Sequence, residues 1–193
     1  MNILSLLKDS QLKKVKIVNL NKNEILFQED QKCDFISIII EGEIKIVSYS
    51  FSGREIIYSL LKKDDIFGNN LIFSSAPFYK GSVVAKVNSK IALIDKDTLI
   101  SLLQENKEFL LKYLSIIGDL TKNLNDKNKL LSFDKATERV LYYLHKNNNE
   151  IQYKTITNLA EELNIKRETL SRTLTKMSND KLILVEKNII KAL

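Results

Sequence analysis

The chain has one cysteine, Cys33, and one histidine, His145, in 193 residues. A lone cysteine cannot close an internal disulfide, which suits a reducing compartment and points to the cytoplasm. Iron–sulfur clusters take about four cysteine ligands, and structural zinc takes about four clustered Cys, His or carboxylate ligands. Neither is expected here. No apolar run approaches the length of a membrane span. Met1–Leu7 has no basic leader region and runs at once into Lys8 and Asp9, so no secretory signal is expected. Internal repeats and low-complexity linkers are absent. Charge of neither sign dominates: the net charge is +6. It is uneven, however. From Lys135 onward there are 11 Lys/Arg against 7 Asp/Glu, a net +4, which leaves +2 for the first 134 residues. The surplus falls where phosphates would be met if the C-terminal part binds nucleic acid. A hydrophobic content of 44% is ample for packed cores.

The most informative stretch is residues 155–174, TITNLAEELNIKRETLSRTL. Ile156, Leu159, Ala160 and Leu163 recur at the spacing of one helical face. Asn164 sits where a turn needs a residue tolerant of positive φ. Ile165 plugs the corner, and Leu170, Leu174 and Met177 form the inner stripe of a second helix. Its outer stripe is Arg167, Glu168, Ser171 and Arg172. This is the pattern of a helix-turn-helix whose second helix enters the DNA major groove. At 100° per residue Glu168 and Arg172 share a face, with Leu170 nearly opposite. Arginine can donate two parallel bonds to guanine, and glutamate can accept from cytosine. A carboxylate aimed at a polyanion is otherwise unfavourable. The bland alternative is an i,i+4 surface pair worth a few tenths of a kcal/mol.

Upstream, residues 15–96 read as short β-branched strands: Ile25–Phe27, Phe35–Ile40, Ile44–Tyr49, Ile56–Leu61, Val83–Val87 and Ile91–Ile94. Glu41-Gly42-Glu43 and Ser52-Gly53 read as hairpin turns, and Phe67-Gly68 to Pro77-Phe78 as a non-strand insertion. From Asp97 the period becomes helical. Thr98–Leu103 makes a short helix. Leu114, Ile117, Thr121, Leu124, Asn128 and Leu131 then step by three and four, an a/d seam of roughly two and a half heptads. That helix either lies on the barrel or pairs with a second copy. The polar residues Thr121 and Asn128 favour pairing, because they cost stability but set register. Asp134 is the expected N-cap of a helix over Lys135–Lys146. Leu182–Val185 and Ile189–Ile190 read as a small hairpin, a wing.

The order of parts resembles the CRP/FNR family of bacterial transcription regulators from about Leu12 to Ile190. The resemblance rests on Ile40-Glu41-Gly42-Glu43, Gly53-Arg54-Glu55, Asp64-Asp65-Ile66-Phe67-Gly68 and Ala85-Lys86. It is strongest in Arg167-Glu168-Thr169-Leu170-Ser171-Arg172, followed by Lys181-Leu182-Ile183. It implies an α+β chain: an N-terminal antiparallel β-roll or jelly roll sensor over 1–106, a dimerisation helix over 107–133, and a winged helix-turn-helix over 134–193. It implies a cytoplasmic homodimer on double-stranded DNA, reading an inverted repeat with TGA-like half-sites, and it admits RNA polymerase as a further partner. Glu168, Ser171 and Arg172 would read bases, and Arg167 a guanine or a phosphate. Thr155, Thr157 and Lys166 are placed for phosphates. Lys166 departs from the small hydroxyl residue common at that N-cap.

Cyclic-nucleotide-binding members carry a glutamate for the ribose, and an arginine with a small hydroxyl neighbour for the phosphate. Aligning on Gly68 and Ala85-Lys86 puts Asn69 at the glutamate and Tyr79 and Lys80 at the arginine and its neighbour. A shifted alignment offers Lys80 and Ser82 instead. Lysine lacks the arginine fork, so a response to cyclic AMP is not expected. The effector is left unknown and no cofactor is expected; iron–sulfur and haem sensing lack ligands, with His145 expected to be exposed. Cys33 lies beside Lys32, which would lower its pKa somewhat, or it is a plain loop thiol. A sensor module acting through a protein partner would leave the base-reading face unexplained. A cupin-like enzyme would need interior His and carboxylate metal ligands.

Overall fold

A computed structural model describes residues 3–193, so the reading of a leader at Met1 and Asn2 lies outside the described residues. Packing divides the chain into two units, one ending at Gly118 and the other covering Asp119–Leu193.

In the first unit a short 3₁₀ turn, Ile3–Leu6, and helix α1, Asp9–Leu12, precede eight strands. These are β1 Lys16–Leu20, β2 Ile25–Phe27, β3 Phe35–Glu41, β4 Glu43–Tyr49, β5 Glu55–Lys62, β6 Ile66–Phe67, β7 Ser82–Ala85 and β8 Ser89–Asp95. They form two antiparallel four-stranded sheets, ordered β1-β8-β3-β6 and β2-β7-β4-β5. Consecutive strands alternate between sheets in the manner of a jelly roll, except β4 and β5, which share one. Ile36, Ile38, Ile39, Ile44, Val83, Ile91 and Ile94 have no exposed surface and make the core between them. Each such side chain contributes about 1.5–3 kcal/mol by leaving water. Helix α2, Lys96–Glu105, follows directly. Its N-cap, Asp95, accepts bonds from the Thr98 amide at 2.9 Å and hydroxyl at 2.8 Å, which hold its carboxyl below the usual range.

One turn was misread from sequence. Glu41-Gly42-Glu43 is no hairpin: β3 and β4 lie in different sheets. Gly42 instead steps the chain across the sandwich at φ +92°, and an added Cβ would run into Ser89 Oγ and lie 2.7 Å from the Asn88 carbonyl. Gly42→Ala is therefore expected to cost about 2 kcal/mol or more in chemical denaturation. Gly118→Ala, with open space around it in a helix, is the control and is expected to gain up to about 1 kcal/mol. The other turn is a hairpin: β4 pairs with β5 along their lengths, and the Gly53 amide bonds the Ser50 carbonyl at 2.8 Å.

Helix α3, Lys107–Leu131, is the long helix of the chain. Phe109 and Tyr113 are buried near its start, and Leu130 near its end. The seam side is open: Leu114, Leu124 and Leu131 are 54%, 59% and 38% exposed in the single chain. Thr121 and Asn128 are exposed beside them, and Ile117 is half-buried. No helix among the described residues is long and apolar enough to cross a membrane.

In the second unit the end of α3 is followed by α4, Ala136–Lys146, β9, Glu150–Gln152, α5, Ile156–Glu162, α6, Arg167–Asn179, and the hairpin β10, Ile183–Glu186, and β11, Ile189–Ala192. Val140, Leu144, Leu159, Leu163, Leu170, Met177, Ile183 and Ile190 close one core. Strand β9 was not foreseen. It joins the wing hairpin as a third strand, ordered β10-β11-β9, because Ile151 is needed opposite Ile190 to complete that core. Asp134 is not the N-cap of α4. That position is Lys135, with no side-chain cap bond. The turn is set instead by Phe133, whose ring packs 5.3 Å from Tyr142 and whose carbonyl accepts from Arg139 at 2.9 Å.

Candidate nucleic-acid interface

Helix α5 begins at Thr155, whose hydroxyl accepts from the Asn158 amide at 3.1 Å. That hydroxyl also donates to the Asn158 side-chain oxygen. Thr155 is therefore occupied in capping, and the exposed Thr157 and the amides of the first turn are the free donors at this helix start. Asn164 turns the chain at φ +50°, as its residue type implied, and the Ile165 amide bonds back to the Ala160 carbonyl at 2.9 Å. Lys166 is the N-cap of α6 and makes no side-chain cap bond. The first-turn amides of α6 are thus unsatisfied by a side chain. They add their partial positive charge to that of Lys166.

Leu170, Leu174 and Met177 seat α6 on the core at 0%, 5% and 1% exposure. The helical period then obliges Arg167, Glu168, Ser171 and Arg172 outward, and all four are exposed. The surface-pair alternative for Glu168 and Arg172 is not what forms. Arg172 Nε donates to the Glu168 backbone carbonyl at 3.4 Å, and the Glu168 carboxylate has no ion-pair partner among the described residues. Its acceptor capacity is unspent. The exposed face runs one turn beyond Arg172. Thr175, Lys176 and Asn179 continue it and line a groove with Ser171 and Arg172. The 3.6 period alone could have found them. A second groove on the other flank of α6 is walled by Tyr153, Ile156, Leu174 and Val185. The wing is held by the Tyr153 hydroxyl donating to the Lys187 carbonyl at 3.1 Å and by its amide on Asn188 at 3.0 Å. That places the exposed Lys187 at the wing tip and Lys154 at its base.

Of the candidate effector residues, Gly68 and Tyr79 meet, a Cβ on Gly68 lying 3.5 Å from the Tyr79 hydroxyl, but both are buried. Tyr79 is 3% exposed, and its ring stacks on Phe27 at 4.7 Å and 11°. It is a core side chain, and burial pushes its hydroxyl far above the usual range. Its neighbour Lys80 is exposed, so the two point to opposite sides. Ser82 Oγ accepts from the Glu29 amide at 3.1 Å, while the Glu29 carboxylate takes the Ser48 hydroxyl at 2.7 and 3.0 Å. The shifted alignment thus puts a carboxylate beside Ser82. Gly68, at φ +80°, and Asn69 are buried. A Cβ on Gly68 would lie 2.6 Å from the Phe35 carbonyl. Neither aligned position thus carries an arginine: one holds the buried Tyr79 ring, and at the other Ser82 Oγ is taken up by the Glu29 amide.

Of the two readings of Cys33, the thiol activated by Lys32 is not what forms. Lys32 pairs with Asp34 at 2.8 Å rather than acting on the thiol. Cys33 is 2% exposed, its Sγ faces the Phe35 and Gly68 carbonyls at 3.4 and 3.6 Å, and burial pushes the thiol up. His145 is exposed, as expected.

Residues 17–106 match the cyclic nucleotide-binding domain family. A CRP-like cAMP-activated global transcriptional regulator of Mycobacterium tuberculosis is 25% identical over 128 residues, 66% of this chain and 57% of the relative. The match thus spans little more than half the length of that curated relative. A transcriptional regulator of Thermotoga maritima, of known structure, is 29% identical with a TM-score of 0.59, over 64% of this chain and 95% of the other. A CooA variant from Carboxydothermus hydrogenoformans superposes over 100% of this chain and 91% of its own, at 17% identity and a TM-score of 0.65. The Thermus thermophilus catabolite activator protein does so over 99% and 93%, at 16% and 0.56. At such identities the last two show the fold alone.

Proposed function

We propose that this chain, whose residues 17–106 match the cyclic nucleotide-binding domain family and which is similar to a CRP-like transcriptional regulator, is a homodimeric, sequence-specific DNA-binding regulator. It works without a cyclic nucleotide. The observation that carries the reading is the exposed row Arg167, Glu168, Ser171 and Arg172 on α6, over a buried Leu170, Leu174 and Met177.

The chemistry follows from the row. Arg172 offers two parallel donors to guanine O6 and N7. Glu168, with no internal partner, accepts from cytosine N4, and that contact offsets the repulsion a carboxylate meets among phosphates. Ser171 is short enough for a thymine methyl to approach. Arg167 meets a guanine or the adjacent phosphate. Thr157, Lys166 and the first-turn amides of α5 and α6 hold phosphates and set register without reading sequence; Lys154 and Lys187 extend that set. Two copies joined along Leu114, Ile117, Thr121, Leu124, Asn128 and Leu131 would present two such helices on an inverted repeat with TGA-like half-sites.

Selection of bound duplexes from a random-sequence pool tests this. Enrichment of an inverted repeat, with half-site centres about 10 base pairs apart, is expected. It should be the same with or without millimolar cyclic AMP or cyclic GMP. Recovery of unrelated sequences would overturn the DNA reading, and enrichment only with nucleotide would overturn the effector reading.

A further inference from the structure

The Arg139 guanidinium gathers four backbone carbonyls from three separate places. Nε donates to Phe133 O at 2.9 Å, in the link between α3 and α4. Nη1 donates to Asn164 O at 2.7 Å and Leu163 O at 3.4 Å, in the turn before α6. Nη2 reaches Leu131 O at 3.5 Å, the last residue of α3.

Two helix C-termini therefore converge on one cation. The last carbonyls of a helix lack partners within it and carry partial negative charge. Bringing the ends of α3 and α5 together would be unfavourable without a donor set between them. Only arginine has a planar fork that reaches several acceptors in different directions at once. The same face of α4 grips α3 again one and two turns on. Lys146 Nζ lies 2.8 Å from Asp126, the Tyr142 hydroxyl lies 3.4 Å from the same carboxylate, and Lys129 Nζ sits 5.4 Å over the Tyr142 ring. Arg139, Tyr142 and Lys146 are spaced i, i+3 and i+7, so one stripe of α4 makes all of these contacts.

We infer that Arg139 is a positioning residue that fixes the turn before the recognition helix to the end of the dimer helix, and thereby sets the half-site spacing the protein accepts. The inference rests on the dimeric DNA-binding reading above. Two modules joined by a stiff elbow have a high effective concentration at one separation and a low one elsewhere. A loose elbow spreads that concentration over many separations. Arg139 itself touches no DNA in this scheme. Its loss should alter the dependence on spacing and leave each half-site contact as it was.

The test uses the full chain and variants Arg139→Met and Arg139→Lys. Affinity is measured on the selected repeat, on repeats with one or two base pairs inserted or deleted between half-sites, and on an isolated half-site. The wild type should show one sharp optimum. Arg139→Met should bind that optimum about tenfold more weakly, bind the altered spacings nearly as well, and match the wild type on the half-site. Arg139→Lys, with one point donor in place of the fork, should fall between them. Should Arg139→Met fail to fold, Arg139→Lys carries the measurement. Hydrogen exchange without DNA gives a second readout: the amides of 132–135 and 164–167 should exchange faster in Arg139→Lys than in the wild type. A sharp optimum kept by both variants overturns the inference, as does equal loss on the half-site and the repeat, or unchanged exchange. Failure of the wild type to bind any duplex instead overturns the DNA reading, and the exchange measurement still judges the staple.

Discussion

Arg172→Ala is expected to remove the preference for the matched operator while sparing the fold. A bidentate arginine–guanine pair is worth about 1–3 kcal/mol, and a two-fold dimer loses two of them. Affinity for the matched repeat should therefore fall about thirtyfold or more. Binding to scrambled DNA should change little and stay steeply salt-dependent, because it rests on phosphate contacts. Stability should move by less than about 0.5 kcal/mol. Arg172 is exposed, and its one internal bond is the 3.4 Å contact to a carbonyl of its own helix. A companion variant sharpens the test. Glu168→Ala should raise affinity for scrambled DNA, since it takes an unpaired carboxylate off a surface that meets phosphates, and should relax the preference at the cytosine. Gel shifts with matched and scrambled duplexes at two salt concentrations read all of this. Equal loss on both duplexes for Arg172→Ala would show that it serves only as a charge.

Leu124→Lys is expected to separate the two copies. Leu124 is 59% exposed in the single chain, so the substitution takes no apolar contact from the protomer's core. Between two α3 helices the same position is an a/d site, and two lysines there would have to desolvate face to face. Sedimentation should move from dimer to monomer with circular dichroism unchanged. Affinity for the full inverted repeat should drop to that of one half-site, a loss of about 10²–10⁴. A dimer that persists in Leu124→Lys would mean that α3 does not pair along this stripe.

The second unit was the more legible part of the chain. Its helix-turn-helix is written in contacts between residues no more than about four apart: Leu159 with Leu163, Leu170 with Leu174, and a corner at Asn164 whose residue type suits φ +50°. Six of the eight jelly-roll strands were also readable, because alternation and β-branching are local signals, but β1, Lys16–Leu20, and β6, Ile66–Phe67, were not. Gly42 shows where this stops. A glycine between two apolar runs marks a turn, but whether that turn pairs its flanking strands depends on which strands compete for them. Here β8 takes β3, and β7 and β5 take β4.

The sensor half misled for the same reason. Aligned by sequence, Tyr79 stood at an anion site; in the fold it stacks on Phe27. Cys33 stood in a loop beside a lysine; in the fold it is buried against Gly68. Arg139 gave no signal at all, since the carbonyls it collects belong to backbone, and any residue types could supply them.

What the order of residues settles unaided is therefore the identity of the elements and the face each helix turns outward. Periodicity, caps and tight turns are short-range physics, and the exposed row Arg167, Glu168, Ser171 and Arg172 on α6 is one such consequence. Strand partners, the burial of Tyr79 and Cys33, the pairing of Glu29 with Ser48, and the convergence of two helix ends on Arg139 were decided only on folding. Each depends on groups far apart in the chain, whose energies exist only once the core has brought them together.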